Sequence, residues 1–310
     1  MPLRTVCVMT LLCVSGALLS AADATKKIEI TGKGHRFFAA DYDKHIMAIV
    51  AADGTIEWKR EIPGSHDAWM LADGKILWTP SGDKVFEVDP KVDGQKLIYD
   101  SKTNGNEQVP VEVHGFHPNA DASVIAIFES GPKRVVEVDR SGKVLRIQAL
   151  PIDKGDPHHH MRNARKLDNG NYLLCLSADS KVLECDKDGK PVWEFPMGGK
   201  EPYSAIRLPN GNTLIGGGNA HRVIEVDKSG KEVWSVGETE LPGIKLVWVA
   251  QVQRLTNGNT IIVNCHAGPE NPQFIEVDQD KKVVWSYRDF QNFGNSLPVG
   301  FVLDSPGAIR

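Results

Sequence analysis

One pattern recurs along the chain: Leu-x-Asn-Gly-Asn, an apolar run, a short gap, then Val-x-Glu-x-Asp-x-x-Gly-Lys-x-x-Trp. The clearest copy runs Leu208, Asn210-Gly211-Asn212, Val223, Glu225, Asp227, Gly230-Lys231 and Trp234. A copy before it carries Asn169-Gly170-Asn171, Glu184, Asp186 and Trp193, and a copy after it carries Asn257-Gly258-Asn259, Glu276, Asp278 and Trp285. Looser copies fill the first half: Asp73-Gly74 with Glu87 and Asp89, Asn119-Ala120 with Glu137 and Asp139, and Thr31 to Gly34 leading to Asp53-Gly54 and Trp58. The markers Gly34, Gly74, Ala120, Gly170, Gly211 and Gly258 follow one another at intervals of 40 to 50 residues, which makes six repeats. A fixed period of this size means one supersecondary unit stacked many times.

Each unit reads as strands. Val-Ile-Glu-Val-Asp alternates apolar and polar, the period of a half-buried strand. Asn-Gly between two apolar runs is a hairpin signal, because both residues tolerate positive φ. Lys-Ser-Gly-Lys and Lys-Asp-Gly-Lys mark further turns. Four short antiparallel strands in about 45 residues is the arithmetic of a propeller blade. The sequence therefore predicts an all-β fold, a six-bladed β-propeller of four-stranded antiparallel blades with almost no helix. Trp58, Trp193, Trp234 and Trp285 are expected to dock on the neighbouring blade, and the second and third repeats, with Ile98 and Arg146 there, to lack that plug. Ile28 to Ile30 and Val299 to Leu303 both suit a closing strand, one completing the first blade and the other adding an outer strand, with a seventh partial blade as the alternative.

Residues 1–22 stand outside this pattern. Arg4, an apolar run from Val6 to Leu19, and Ser20-Ala21-Ala22 make a secretory signal peptide, so residues 23–310 form one propeller domain that is periplasmic or secreted. No later stretch is long and apolar enough to span a bilayer, and a monomer is expected. Cys175, Cys185 and Cys265 remain after cleavage. Their odd number argues against a disulfide framework and for small buried hydrophobes in strands. The net charge of −4 offers no basic field for nucleic acid.

The repeat Leu-Pro-Asn-Gly-Asn followed by Val-x-Glu-x-Asp-x-x-Gly-Lys-x-Val-Trp resembles that of exported bacterial arylsulfotransferase-like propellers, and the docking Trp resembles that of pyrroloquinoline-quinone (PQQ)-like repeats. The resemblance covers the whole mature chain and implies the fold. It does not imply the quinone: that class is larger and carries adjacent cysteines, which this chain lacks, so no PQQ is expected. Arylsulfotransferase-like proteins carry His-His-Asp ahead of the Asn-Gly turn, where this chain has Ser65-His66-Asp67, and His159-His160 in another blade is a shifted pair.

A propeller binds its ligand on the ring axis, so the residues of interest lie just upstream of each Asn-Gly turn. There the chain offers His66 and Asp67; Glu112, His114 and His117; His158, His159, His160 and Arg162; Tyr203; and Trp248 and Gln251. Six of the ten histidines fall in these segments. In an extended strand His158, His160 and Arg162 would project together. Imidazole supplies a base, a nucleophile or a metal ligand, and Arg holds a carboxylate, sulfate or phosphate. The reading is an axial pocket lined by His, Arg and aromatic residues that binds a small anionic or carbohydrate-like molecule. In an enzymatic alternative of sulfotransferase, hydrolase or lyase type, His160 or His66 acts as base or nucleophile and Arg162 holds the anion. His158 and His160 are the candidate metal ligands. Asp67, His114, His117, His158, His159, Tyr203, Trp248 and Gln251 line the pocket. A protein-interaction scaffold is the third reading.

Overall fold

Each Leu-x-Asn-Gly-Asn segment turns the chain back on itself, but not by the turn its dipeptide predicts. Only the glycine adopts positive φ (Gly170 +86°, Gly211 +87°, Gly258 +90°). The preceding Asn folds its side chain onto the backbone instead: Asn210 Oδ1 accepts from Asn212 N at 2.9 Å, and Asn169 and Asn257 do the same. This is a type I turn closed by a left-handed glycine, one residue longer than an Asn-Gly type I′ hairpin. The Asp of Val-x-Glu-x-Asp organises the opposite turn. Asp227 Oδ1 accepts from Ser229 N and Lys231 N, and Asp139, Asp186 and Asp278 repeat the arrangement.

The computed structural model describes residues 28–80 and 82–310; the signal-peptide reading falls on residues outside them. The strands make six antiparallel sheets, one per blade. Blades 2 to 5 are contiguous in sequence, with innermost strands Asp67–Met70, Glu112–Pro118, Ala164–Lys166 and Ser204–Arg207. Blade 6 starts at Trp248–Arg254. Blade 1 takes its innermost strand, Val299–Val302, from the far end of the chain, paired with Phe37–Asp41. Glu29–Gly32 adds a fifth, outermost strand to blade 6 against Val283–Arg288. Both ends thus close the ring, and six blades complete it. The Thr31 to Gly34 marker is not a hairpin turn: it leaves that added outer strand, because blade 1 has no local innermost strand to turn from.

Six apolar clusters fill the six joints between neighbouring blades. Polar relays from the repeat lie over them. The Glu of the third strand accepts from its own turn, as Asn212 Nδ2 to Glu225 at 2.7 Å, and from the next blade, as Arg254 to Glu225 at 2.7 Å and Arg207 to Glu184 at 2.6 Å. Arg207 and Arg254 also lie over the rings of Trp193 and Trp234. Trp193 Nε1 donates to Lys228 O and Trp234 Nε1 to Gln279 O on the following blade.

The second and third repeats keep this bridge with other side chains. Lys96, not Ile98, occupies the Trp position opposite Glu87, and it donates to Arg140 O at 2.8 Å. Arg146 donates to Lys187 O at 2.6 Å. The acceptor in all four is the residue after the motif Asp, so any long donor at this position serves.

At the closing joint the Glu276 carboxylate meets His35, which bonds Glu276 and Asp304 at 2.9 Å each and packs edge-on to Trp285. Burial pulls the His35 pKa down, but the two carboxylates outweigh it and the net shift is upward. Charged His35 therefore stabilises the closed ring below the unfolded histidine value of about 6.5, and this contribution fades as pH rises through the raised folded value. We expect the unfolding midpoint of wild type to fall relative to His35→Gln as pH is taken from about 6 to 9; parallel profiles for the two proteins would refute it.

The three cysteines among the described residues, Cys175, Cys185 and Cys265, are free and buried. Cys175 and Cys185 are out of register, facing Val182 and Tyr172, and belong to different apolar clusters. Burial pushes their thiols up, that of Cys185 to about 12.

Candidate functional site

The six innermost strands surround the axis and begin at one mouth of the channel, here called the upper mouth. His66 stands immediately before the blade 2 strand. Glu112 and His114 alternate along the blade 3 strand, so both face the axis. Arg162 and Tyr203 precede the strands of blades 4 and 5, and Trp248 opens that of blade 6. Tyr42 reaches in from the loop between the second and third strands of blade 1.

These side chains touch. The His66 and His114 rings are 3.9 Å apart, and the Tyr42 ring lies 5.4 Å from His66. His158 Nδ1 donates to Glu112 Oε2 at 2.8 Å, while its Nε2 accepts from Arg162 at 3.0 Å. His114 Nδ1 donates to Met161 O at 2.9 Å, and its Nε2 lies 2.7 Å from the same Glu112 oxygen. Neither ring nitrogen of His66 has a hydrogen-bond partner among the described residues. One ligand atom from each of His66, Glu112 and His114 lies within 4.8 Å of the others.

Burial, helped by the neighbouring His114, Arg162 and His158, holds His66 well below the usual histidine range, so it is neutral near pH 7. Burial likewise lowers His114. The bond to His114, with that to His158, draws Glu112 down to about 2, so it is ionised. Arg162 is 8% exposed. Its nearest carboxylate, Glu201, is 3.8 Å away, and its Nε has no partner among the described residues. Both side-chain polar atoms of the buried neighbour Asn163 are also unpartnered there.

The other sequence candidates lie elsewhere. The segment around His158–His160 is a turn, not a strand, so its histidines diverge. His160 turns away from the axis: Nδ1 accepts from Gly131 N at 3.0 Å and Nε2 donates to Gly155 O at 2.9 Å, which leaves neither nitrogen free for catalysis or a metal. His159 is exposed and paired with Asp156. Asp67 is fully buried below the pocket, bonded to Arg165 at 2.8 Å and Gln251 at 2.9 Å. Ser65, where the arylsulfotransferase-like pattern has its first His, donates to the carbonyls of Asp67 and Thr79. His117 faces the lower mouth, accepting from Lys166 N and stacking near Trp69. Sequence reading missed Tyr42 and Glu201, whose loops carry no repeat signal.

A cavity of about 800 Å³ lies at the lower mouth, lined by Trp69, His117, Arg165, Trp193, Arg207 and Arg310 among others. Its arginines and Lys166 are paired with Asp67, Glu184 and Glu137. At the upper mouth Arg162 has no carboxylate within hydrogen-bond distance among the described residues, which makes the upper mouth the candidate site.

The fold and this site define a six-bladed propeller with a cluster of polar side chains at the upper mouth of its channel. The chain belongs to the Mal s 1 allergenic protein-like family, whose model matches residues 37–282. No curated protein matches it. A protein of unknown function from Bacteroides caccae superposes with a TM-score of 0.74 at 23% identity, over 86% of this chain and 98% of its own. A streptogramin B lyase gives 0.60 at 10% identity, covering 89% and 98%. A catalytically inactive virginiamycin B lyase from Staphylococcus aureus, with quinupristin, gives 0.57 at 11%, covering 86% and 90%. At these identities the likeness establishes the propeller.

Proposed function

We propose that this protein is an exported propeller that binds a small anionic ligand at the upper mouth of its axial channel. One observation carries the reading: among the described residues Arg162 is a nearly buried guanidinium with one donor used toward His158 and its nearest carboxylate, Glu201, 3.8 Å away. A buried cation left so under-compensated is costly unless an anion completes it. Tyr42, Tyr203 and Trp248 supply aromatic surface for an aryl or sugar body. Export rests on the sequence of residues 1–22.

A second reading is favoured by His66. A neutral imidazole whose nitrogens have no partner among the described residues, beside Arg162, is what a base or nucleophile acting on a bound anion requires. The sulfotransferase-like repeat and the lyases of the same fold both fit such chemistry.

The test uses protein secreted with its own leader, its mature N-terminus read by mass spectrometry and expected near Asp23. Titration with p-nitrophenyl sulfate, followed by tryptophan fluorescence, should saturate, and Arg162→Ala should weaken binding about 10- to 150-fold, the range of a hydrogen bond to a charged group. Release of p-nitrophenol that His66→Ala abolishes would favour the enzyme. Equal affinity in wild type and Arg162→Ala would remove the anion pocket.

A further inference from the structure

A carbonyl can only accept, so the Met161 oxygen fixes one proton of His114 on Nδ1. Nε2 then faces Glu112 Oε2, 2.7 Å away, and a second proton or a metal ion must lie between these two acceptors. His158 does not supply it, since its one proton goes to Glu112 and its other nitrogen accepts from Arg162.

The surroundings are those of a metal centre. His114 is oriented by a backbone carbonyl and Glu112 by a neighbouring imidazole, the outer contacts that metal-bound histidines and carboxylates ordinarily have. His66 adds a third ligand with no competing hydrogen-bond partner among the described residues. The three ligand atoms lie within 4.8 Å of one another, close enough for one ion after small side-chain rotations.

We propose that His66, Glu112 and His114 bind a divalent first-row transition ion of the zinc class at the upper mouth of the channel. Two imidazoles and one carboxylate suit such an ion and are poor ligands for magnesium or calcium, which prefer all-oxygen shells. Three protein ligands leave a coordination position open, as in catalytic rather than structural zinc sites. Arg162 is a neighbour of both His66 and His114. The metal and the guanidinium together would hold an anion at two points, which narrows the ligand to one with an acidic group able to bridge them, a carboxylate, sulfate or phosphate ester. This bridging role rests on the anion reading above; the metal site does not.

The experiment is metal binding alone, with no organic ligand present. Tag-free wild-type protein, stripped with chelator and dialysed, is titrated with Zn²⁺ by calorimetry and with Co²⁺ by visible absorption. One equivalent is expected, with d–d bands of a low-coordinate histidine site. His66→Ala, which removes no hydrogen bond among the described residues, and Glu112→Gln should each weaken binding by more than about a hundredfold, with far-UV circular dichroism unchanged. His159→Ala, which removes an exposed imidazole outside the cluster, should bind as wild type. Arg162→Ala should keep the metal while losing p-nitrophenyl sulfate, which separates failure of the anion pocket from failure of the metal site. Absence of stoichiometric binding in wild type, or binding that survives His66→Ala and Glu112→Gln but falls in His159→Ala, overturns the proposal: a proton then bridges His114 and Glu112, or surface histidines hold an adventitious ion only.

Discussion

Asp67→Ala is expected to destabilise the protein by about 3–5 kcal/mol, the cost of stranding a buried cation. For a domain of this size that lowers the melting temperature by roughly 6–20 °C. Asp67 ties four blades to one carboxylate. It accepts from Arg165 of blade 4 at 2.8 Å, from Gln251 of blade 6 at 2.9 Å and from Phe116 N of blade 3 at 3.3 Å, with Arg310 at 3.6 Å. Arg165 and Asp67 are both buried, and Arg310 packs over the Trp69 and Phe301 rings. Burial, only partly offset by Asp67, already draws Arg310 down to about 9. Without the carboxylate two guanidinium groups would face each other inside the channel. Replacing Arg165 by Met in the same molecule should recover part of the loss, because removing both charges costs less than removing one. Chemical denaturation of the two variants measures this. A loss below about 1 kcal/mol, the size of an exposed pair, would mean that water reaches the channel axis and that Asp67 is not the axle.

Ending the chain at Pro298 is expected to abolish cooperative folding. The lost segment contains Val299, Phe301 and Val302, all 3% exposed or less. Burial of three such side chains is worth roughly 5–9 kcal/mol, comparable with the whole stability of a domain. Removal also unpairs the strand Phe37–Asp41 inside the channel and frees Gln253, which bonds both backbone groups of Val302. Buried polar backbone without partners adds further cost. The measurement is a thermal melt of the truncated protein, repeated with a synthetic peptide of residues 298–310. Restoration of a sharp transition by the peptide is the expected result, and a sharp transition without it would show that blade 1 closes by other means.

The two ends contribute differently to closure. The N-terminal strand lies on the rim, with Ile30 over the aromatic cluster of Phe37, Phe274, Trp285 and Tyr287, whereas the C-terminal strand lies at the axis. The last residues continue from it across the lower mouth, where Ile309 bridges to Arg254. The lower mouth is thereby plugged by Arg310, whose guanidinium reaches toward Asp67, whereas at the upper mouth Arg162 has no carboxylate within hydrogen-bond distance among the described residues. Asymmetry between the mouths is a consequence of how the ring closes.

The repeat and its meaning were legible in the residues, because each blade is local. Alternating apolar residues, an Asx-bearing turn and a left-handed glycine act over a few positions, and they recur whether or not the ring is known. Six blades, four strands each, and the inter-blade Trp follow from that order. Even where the Trp is absent the chemistry persists, since Lys96 and Arg146 donate to the same carbonyl as Trp193 and Trp234. The sequence also singled out the segments entering the innermost strands of blades 2, 3 and 4, where His66, His114 and His158 lie. What it could not assign was which histidine faces the axis. His158 and His160 look equivalent in an extended chain; a turn separates them, sending one to Glu112 and Arg162 and the other to backbone groups of Gly131 and Gly155. Nor could it bring Tyr42 and Glu201 to the pocket, pair Asp67 with an arginine 98 positions away, or give blade 1 its innermost strand from Val299–Val302. Those are contacts across the ring, and their partners are chosen by closure geometry: a short-range pattern specifies the blade, but only the closed circle decides what meets on its axis.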